Sequence, residues 1–134
     1  MSARILVIED DPDFLDLVNY LFTTAGYTLS VARNGREGLE KARKEQPDLI
    51  LTDLMLPQLN GYEICSMLKQ DLRYQKIPVI MSSATKVQRK DEQLAKDCGA
   101  DAFILKSLEP KQLLEQVRTL LAAAAAPEAP GPSA

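Results

Sequence analysis

No histidine occurs anywhere in these 134 residues. Its absence excludes histidine-based nucleophile dyads, histidine metal sites and a phosphohistidine on this chain. Cysteine is nearly as scarce. Cys65 and Cys98 both fall within helical patterns, and two such thiols build no disulfide framework, which reads as a thiol-reduced, cytoplasmic protein. No apolar run is long enough to span a bilayer, and nothing near Met1 resembles a secretory signal. Sixteen basic residues stand against 19 acidic ones, with a pI near 5.0. That balance offers no general attraction for nucleic acid or anionic lipid. Nor does a glycine-rich loop follow the first apolar run, so a nucleotide-binding reading fails. What remains for chemistry is carboxylate, hydroxyl and amine.

Apolar residues make up 46% of the chain, enough for one domain with a real core. Short runs alternate with helical spacings. Arg4-Ile5-Leu6-Val7-Ile8 reads as a strand, followed by Asp11 as an N-cap and Pro12 at the first helical position. Phe14, Leu15, Val18, Leu21 and Phe22 then recur at helical spacing until Gly26. A second strand spans 28–32. Asn34 and Glu37 form a capping-box-like pair opening a helix through Leu39 and Ala42. Strand three is Leu49-Ile50-Leu51-Thr52, closed by Asp53. After it come a turn-rich loop to Gly61 and a helix with Tyr62, Cys65, Met67 and Leu68. Pro78–Ser82 reads as strand four, Val87–Cys98 as a helix stopped by Gly99, 102–105 as strand five, and Pro110 to about Leu121 as the last helix. Five β-then-α units with right-handed crossovers give a doubly wound α/β fold, a five-stranded parallel sheet covered by helices on both faces. Residues 1–121 form the domain. The tail 122–134, rich in alanine and proline, is too poor in bulky apolar groups to pack and reads as a linker or frayed end. Because alanine favours helix, the last helix can run through Ala126 until Pro127 breaks it.

In parallel sheets ligands gather at the carboxyl ends of the strands. Glu9 and Asp10 fall at such an end, and so does Asp53. Grouped carboxylates repel unless a cation or proton relieves them, and their hard oxygens suit Mg2+. Asp11 by itself is explained as a helix cap. Ser82 and Ser83, and Lys106 after Ile104-Leu105, land on the same rim. Taken singly, a serine there is a cap and a lysine a snorkelling surface residue. Taken together, a carboxylate nucleophile, a metal pair, a hydroxyl and an ammonium compose a phosphoryl-transfer site.

These residues resemble the receiver domains of two-component response regulators, the CheY-like superfamily, over Arg4 to about Leu121. The carriers of the resemblance are Ile-Leu-Val-Ile-Glu-Asp-Asp-Pro at 5–12, Asp53-Leu54-Met55-Leu56-Pro57 with Gly61 beyond, Ser83-Ala84, and Lys106. The likeness implies strand order 2-1-3-4-5 and a phosphoacceptor at Asp53. It further implies Mg2+ held by Glu9, Asp10, Asp53 and the Met55 backbone carbonyl. Ser83 matches the switch hydroxyl, Ala84 the small residue leaving room for a phosphoryl group, Phe103 the switch aromatic and Lys106 the family's lysine. Where the family usually has proline after that lysine, this chain has Ser107. A cis non-proline peptide costs about 3 kcal/mol, which leaves open a trans bond, a different loop shape or greater mobility there; the sequence does not decide whether that peptide is cis.

By the same resemblance the chain catalyses only its own phosphorylation and dephosphorylation. Its partners are a sensor histidine kinase or phosphotransfer protein and a downstream output protein or domain, with no direct nucleic acid or membrane contact by this segment. The altered surface is the face made by helix Val87–Cys98, the Phe103 strand and the last helix, and homodimerisation through it is left open. Two alternatives stand beside this reading: the same fold serving as an unphosphorylated interaction module, and a Mg-dependent phosphatase that shares the aspartyl-phosphate chemistry. The complete set of Glu9, Asp10, Asp53, Ser83 and Lys106 speaks against the first. The second wants an Asp-x-Asp nucleophile after strand one, where Asp11-Pro12-Asp13 is better explained as a helix start.

Overall fold

The computed structural model describes residues 3–84 and 89–125. Strands β1 (Arg4–Ile8), β2 (Thr28–Ala32), β3 (Leu49–Asp53), β4 (Val79–Ser83) and β5 (Ala102–Leu105) form one parallel sheet in the order β2-β1-β3-β4-β5. Helices α1 (Pro12–Thr24), α2 (Gly35–Glu45), α3 (Gly61–Lys69), α4 (Arg89–Asp97) and α5 (Pro110–Ala125) alternate with them.

The strands read as continuous apolar runs because both of their faces are covered. Successive residues of β1 serve opposite layers. Ile5 and Val7 pack with Phe14, Val18 and Phe22 of α1 and with Leu113 and Val117 of α5. Leu6 and Ile8 pack with Leu39 of α2, Ile64 and Leu68 of α3 and Ala95 of α4. Each fully buried side chain of this size contributes about 1.5–3 kcal/mol of transfer free energy.

Local signals set the helix ends. The Asp11 side chain accepts from the Asp13 amide and Pro12 opens α1. Asn34 caps α2 by accepting from the Glu37 amide, but the Glu37 carboxylate turns to Lys41 at 3.4 Å instead of closing a reciprocal box. The full capping box lies at α3, where Asn60 and Glu63 exchange both bonds. Gly26 and Gly99 stop α1 and α4 at φ of 96° and 95°, a conformation that costs other residues strain.

Three boundaries differ from the sequence reading. Strand β4 is displaced by one residue, since Pro78 has no N–H for the ladder, so Ser83 closes it. Helix α5 continues past Leu121 to Ala125, as alanine propensity allows. Helix α4 is described from Arg89 to Asp97; Val87, Gln88 and the tail from Ala126 lie outside the described residues.

Candidate functional site

The parallel register brings several strand ends to one rim. Ile8 pairs with Thr52, Asp53 with Ser82 and Ser83 with Leu105, so Glu9, Asp53, Ser83 and Lys106 emerge side by side. Backbone bonds hold the loops there. The Glu9 amide donates to the Ala32 carbonyl at 2.9 Å, that of Leu54 to Ser82 at 2.8 Å, and that of Lys106 to Ser83 at 2.8 Å.

Glu9 is 1% exposed. Its Oε2 accepts the Asp10 and Asp11 amides, each at 3.1 Å. Its Oε1 lies 2.6 Å from Lys106 Nζ, an ion pair set off the line of a conventional hydrogen bond. Burial raises the Glu9 pKa. The Lys106 ammonium and the Asp11 amide offset that in part, the Asp53 charge adds to it, and the net shift is upward.

Lys106 Nζ is also 3.3 Å from Asp53 Oδ2 and 5.0 Å from the centroid of the Phe14 ring, within cation–π range. Burial opposes its charge, but Glu9 and Asp53 outweigh burial and hold its pKa above that of an ordinary lysine. Asp53 itself is buried at the end of β3, with Oδ1 accepting the Met55 amide at 3.4 Å.

Glu9, Asp10 and Asp53 each offer a carboxylate oxygen within 4.8 Å of the others, with Asp10 exposed and the other two buried. Three carboxylates against one ammonium leave about two negative charges at the rim when all are ionised. An all-oxygen donor set with that deficit fits a hard divalent cation. The exposed Asp10 leaves a path from solvent.

Of the remaining candidates, Ser83, Ala84 and Met55 occupy the same edge or its flank. Ser83 is buried and Ala84 beside it is exposed. Met55 turns its side chain outward, 74% exposed. Phe103 does not join the rim. It pairs in register with Met81 and packs partly buried against the core layer under α2, α3 and α4. Among the described residues every peptide is trans, that between Lys106 and Ser107 included. Two contacts escaped the sequence reading, the Glu9–Lys106 ion pair and the Phe14 ring beneath the ammonium. Phe14 fits the core spacing of α1, and nothing in the sequence separates the two roles.

Comparison with known proteins agrees with this geometry. The response regulator receiver domain family matches residues 5–118. The DNA-binding dual master transcriptional regulator RpaA of Synechocystis is 42% identical over 118 residues, which cover 88% of this chain and 48% of that protein. This chain thus spans about half the length of such relatives. Among solved structures, the signal receiver domain of a signal transduction histidine kinase from Syntrophus aciditrophicus superimposes with a TM-score of 0.86 at 32% identity, covering 97% of this chain and 98% of that one. The receiver domain of sensor histidine kinase PA1611 from Pseudomonas aeruginosa, described with a magnesium ion coordinated in its active-site cleft, shares the fold at 21% identity and a TM-score of 0.83, over 91% of this chain and 99% of that one. Fold, rim and relatives converge: this chain belongs to the response regulator receiver domain family of two-component signalling.

Proposed function

We propose that Asp53 is the phosphoacceptor of this receiver. The observation that carries the reading is Asp53, buried at a strand end with one oxygen 3.3 Å from Lys106 Nζ, beside the acid cluster of Glu9 and Asp10. In the reaction an Asp53 carboxylate oxygen attacks the phosphorus of a phosphohistidine or small acyl phosphate in line. An O–P bond forms to Asp53, and the P–N or P–O bond to the donor breaks. Mg2+ held by Glu9, Asp10, Asp53 and the Met55 carbonyl would neutralise charge on the phosphoryl oxygens. Lys106 holds a further oxygen, and the exposed flank at Ala84 leaves room for the group. The chain so acts on itself and turns over no other substrate.

The added charge and acceptor oxygens give Ser83 a further partner and draw Ser83 and Ala84 toward the group as Phe103 turns toward the space released. The output surface is then α4, β5 and α5, read by a partner or by an output domain joined through the tail that follows α5. DNA binding, which appears in the names of relatives, would lie outside residues 1–121. A cytoplasmic location follows from a kinase or phosphotransfer donor; among the described residues no helix is long and apolar enough to cross a membrane.

The test is intact-mass spectrometry after incubation with acetyl phosphate, with and without Mg2+, for the wild type and Asp53→Asn. One Mg-dependent adduct of phosphoryl mass, absent from Asp53→Asn, is expected. An adduct retained in the variant rejects Asp53. No adduct at all favours an interaction module that works unphosphorylated.

A further inference from the structure

Helices α2, α3 and α4 lie on the same side of the sheet, and their outer surface carries two adjoining open depressions. One, of about 600 Å³, lies between α2 and α3; the other, of about 550 Å³, between α3 and α4. Leu59 and Met67 line both, so the two share an apolar ridge. Met67 is 44% exposed, and Leu94 in the second depression 48%.

The two halves differ in charge. Arg36 and Arg43 line the α2 side, with Glu40 between them, whereas Glu63 and Asp97 line the α4 side. A partner of one sign would gain at one half and lose at the other. A surface with an apolar middle, a basic side and an acidic side is instead complementary to itself. A two-fold axis in the interface plane, running along α3, sets the basic half of each copy on the acidic half of the other, with Met67 near the axis. Apolar contact at the centre with charge at the rim is the usual anatomy of such interfaces.

We propose that a second copy of this chain docks on the α2–α3–α4 face, with Arg43 of each copy facing Asp97 of the other. This surface borders the α4–β5–α5 output face and shares α4 with it, taking Leu94 and Asp97 where that helix faces α3, and the docking is that of the unphosphorylated chain.

Sedimentation velocity of the full, unphosphorylated chain at low salt and up to millimolar concentration is the test. A concentration-dependent dimer is expected. Asp97→Lys and Arg43→Glu should each weaken it by about tenfold or more, since each sets like charges together twice. An equimolar mixture of the two variants should associate again, as a heterodimer with every charge pair restored. Met67→Cys, made with Cys98→Ala, should give a disulfide-linked dimer under mild oxidation. A chain that stays monomeric throughout overturns the proposal. So does a dimer indifferent to both charge reversals, or one that fails to cross-link at position 67; either would place self-association on another face.

Discussion

Lys106 sits closer to Glu9 than to Asp53, its Nζ being 2.6 Å from Glu9 Oε1 and 3.3 Å from Asp53 Oδ2. The ammonium is therefore shared between two acids, and the tighter contact is with the one nearer the start of the chain. Both carboxylates are buried, where an unpaired charge is costly. Lys106 is thus part of what holds the rim together as well as a candidate ligand for phosphoryl oxygens.

Lys106→Ala should lower the stability of metal-free protein by about 3 kcal/mol, the low end for breaking a buried pair, because the exposed Asp10 leaves the rim partly hydrated. Urea unfolding in the presence of a chelator measures it. A loss below about 1 kcal/mol, the range of surface pairs, would mean that water already screens Glu9 and Asp53.

The pH dependence has a definite sign. Glu9 and Lys106 both have pKa values raised by the fold, so the native state holds their protons more tightly than the unfolded chain does. Stability must then fall as pH rises through each window. For Glu9 the fall begins near its ordinary value of 4.5 and ends at the raised one. For Lys106 the contribution is complete below 10.5 and is lost on going above it. Carbon-detected NMR titration of the Glu9 carboxyl in chelated buffer should give a midpoint above 4.5. A midpoint below it would show that Lys106 outweighs burial.

Two glycines clamp the loop after Asp53. A Cβ on Gly35 would collide with the Leu59 carbonyl oxygen, and one on Gly61 would lie 2.5 Å from that of Asp53. Backbone cannot yield as a side chain can, so Gly35→Ala and Gly61→Ala should each cost about 2–3 kcal/mol. Gly26→Ala, with open space around its Cβ but φ at +96°, should cost only about 1 kcal/mol, from backbone strain alone. Thermal unfolding of the three variants should follow that ranking. Equal losses would show that the loop moves freely aside.

The two thiols should differ in reactivity. Cys65 is fully buried, and burial, reinforced by the neighbouring Cys98, pushes its pKa far above that of a free thiol. Cys98 is partly exposed at the end of α4. Brief alkylation of native protein followed by peptide mass spectrometry should modify Cys98 well before Cys65, since the thiolate is the reacting form. Modification of Cys65 at a similar rate would reveal frequent opening of α3.

Lys69 ties the opposite end of the sheet. Its Nζ donates to the Gln75 and Ile77 carbonyls at 3.1 and 2.7 Å and to Asp101 Oδ2 at 3.0 Å. That same carboxylate oxygen accepts the Val79 amide at 2.8 Å. Lys69→Met keeps the stem and removes the donors, and a loss of about 2–3 kcal/mol is expected in urea unfolding. An unchanged midpoint would mean that water replaces the ammonium at no cost.

Sequence alone determined the order of elements, because runs such as Ile5–Ile8 and Leu49–Leu51 are too apolar to be anything but doubly covered strands, and Asp11-Pro12 and Gly99 mark helix ends by backbone chemistry. It also determined which residues reach the rim, since an acid or lysine placed just after a parallel strand has nowhere else to go. Tertiary structure decided how those residues meet. That Lys106 pairs first with Glu9, that Phe14 lies beneath it, and that Asn60 rather than Asn34 closes a full capping box all depend on side-chain direction and strand register between distant segments. The same holds for the charge division across α2, α3 and α4: Arg43 and Asp97 lie on opposite sides of α3, and only the packing of three helices on one layer puts them on one surface. Local periodicity sets each element's conformation, whereas distances between elements arise from packing, which no single segment encodes.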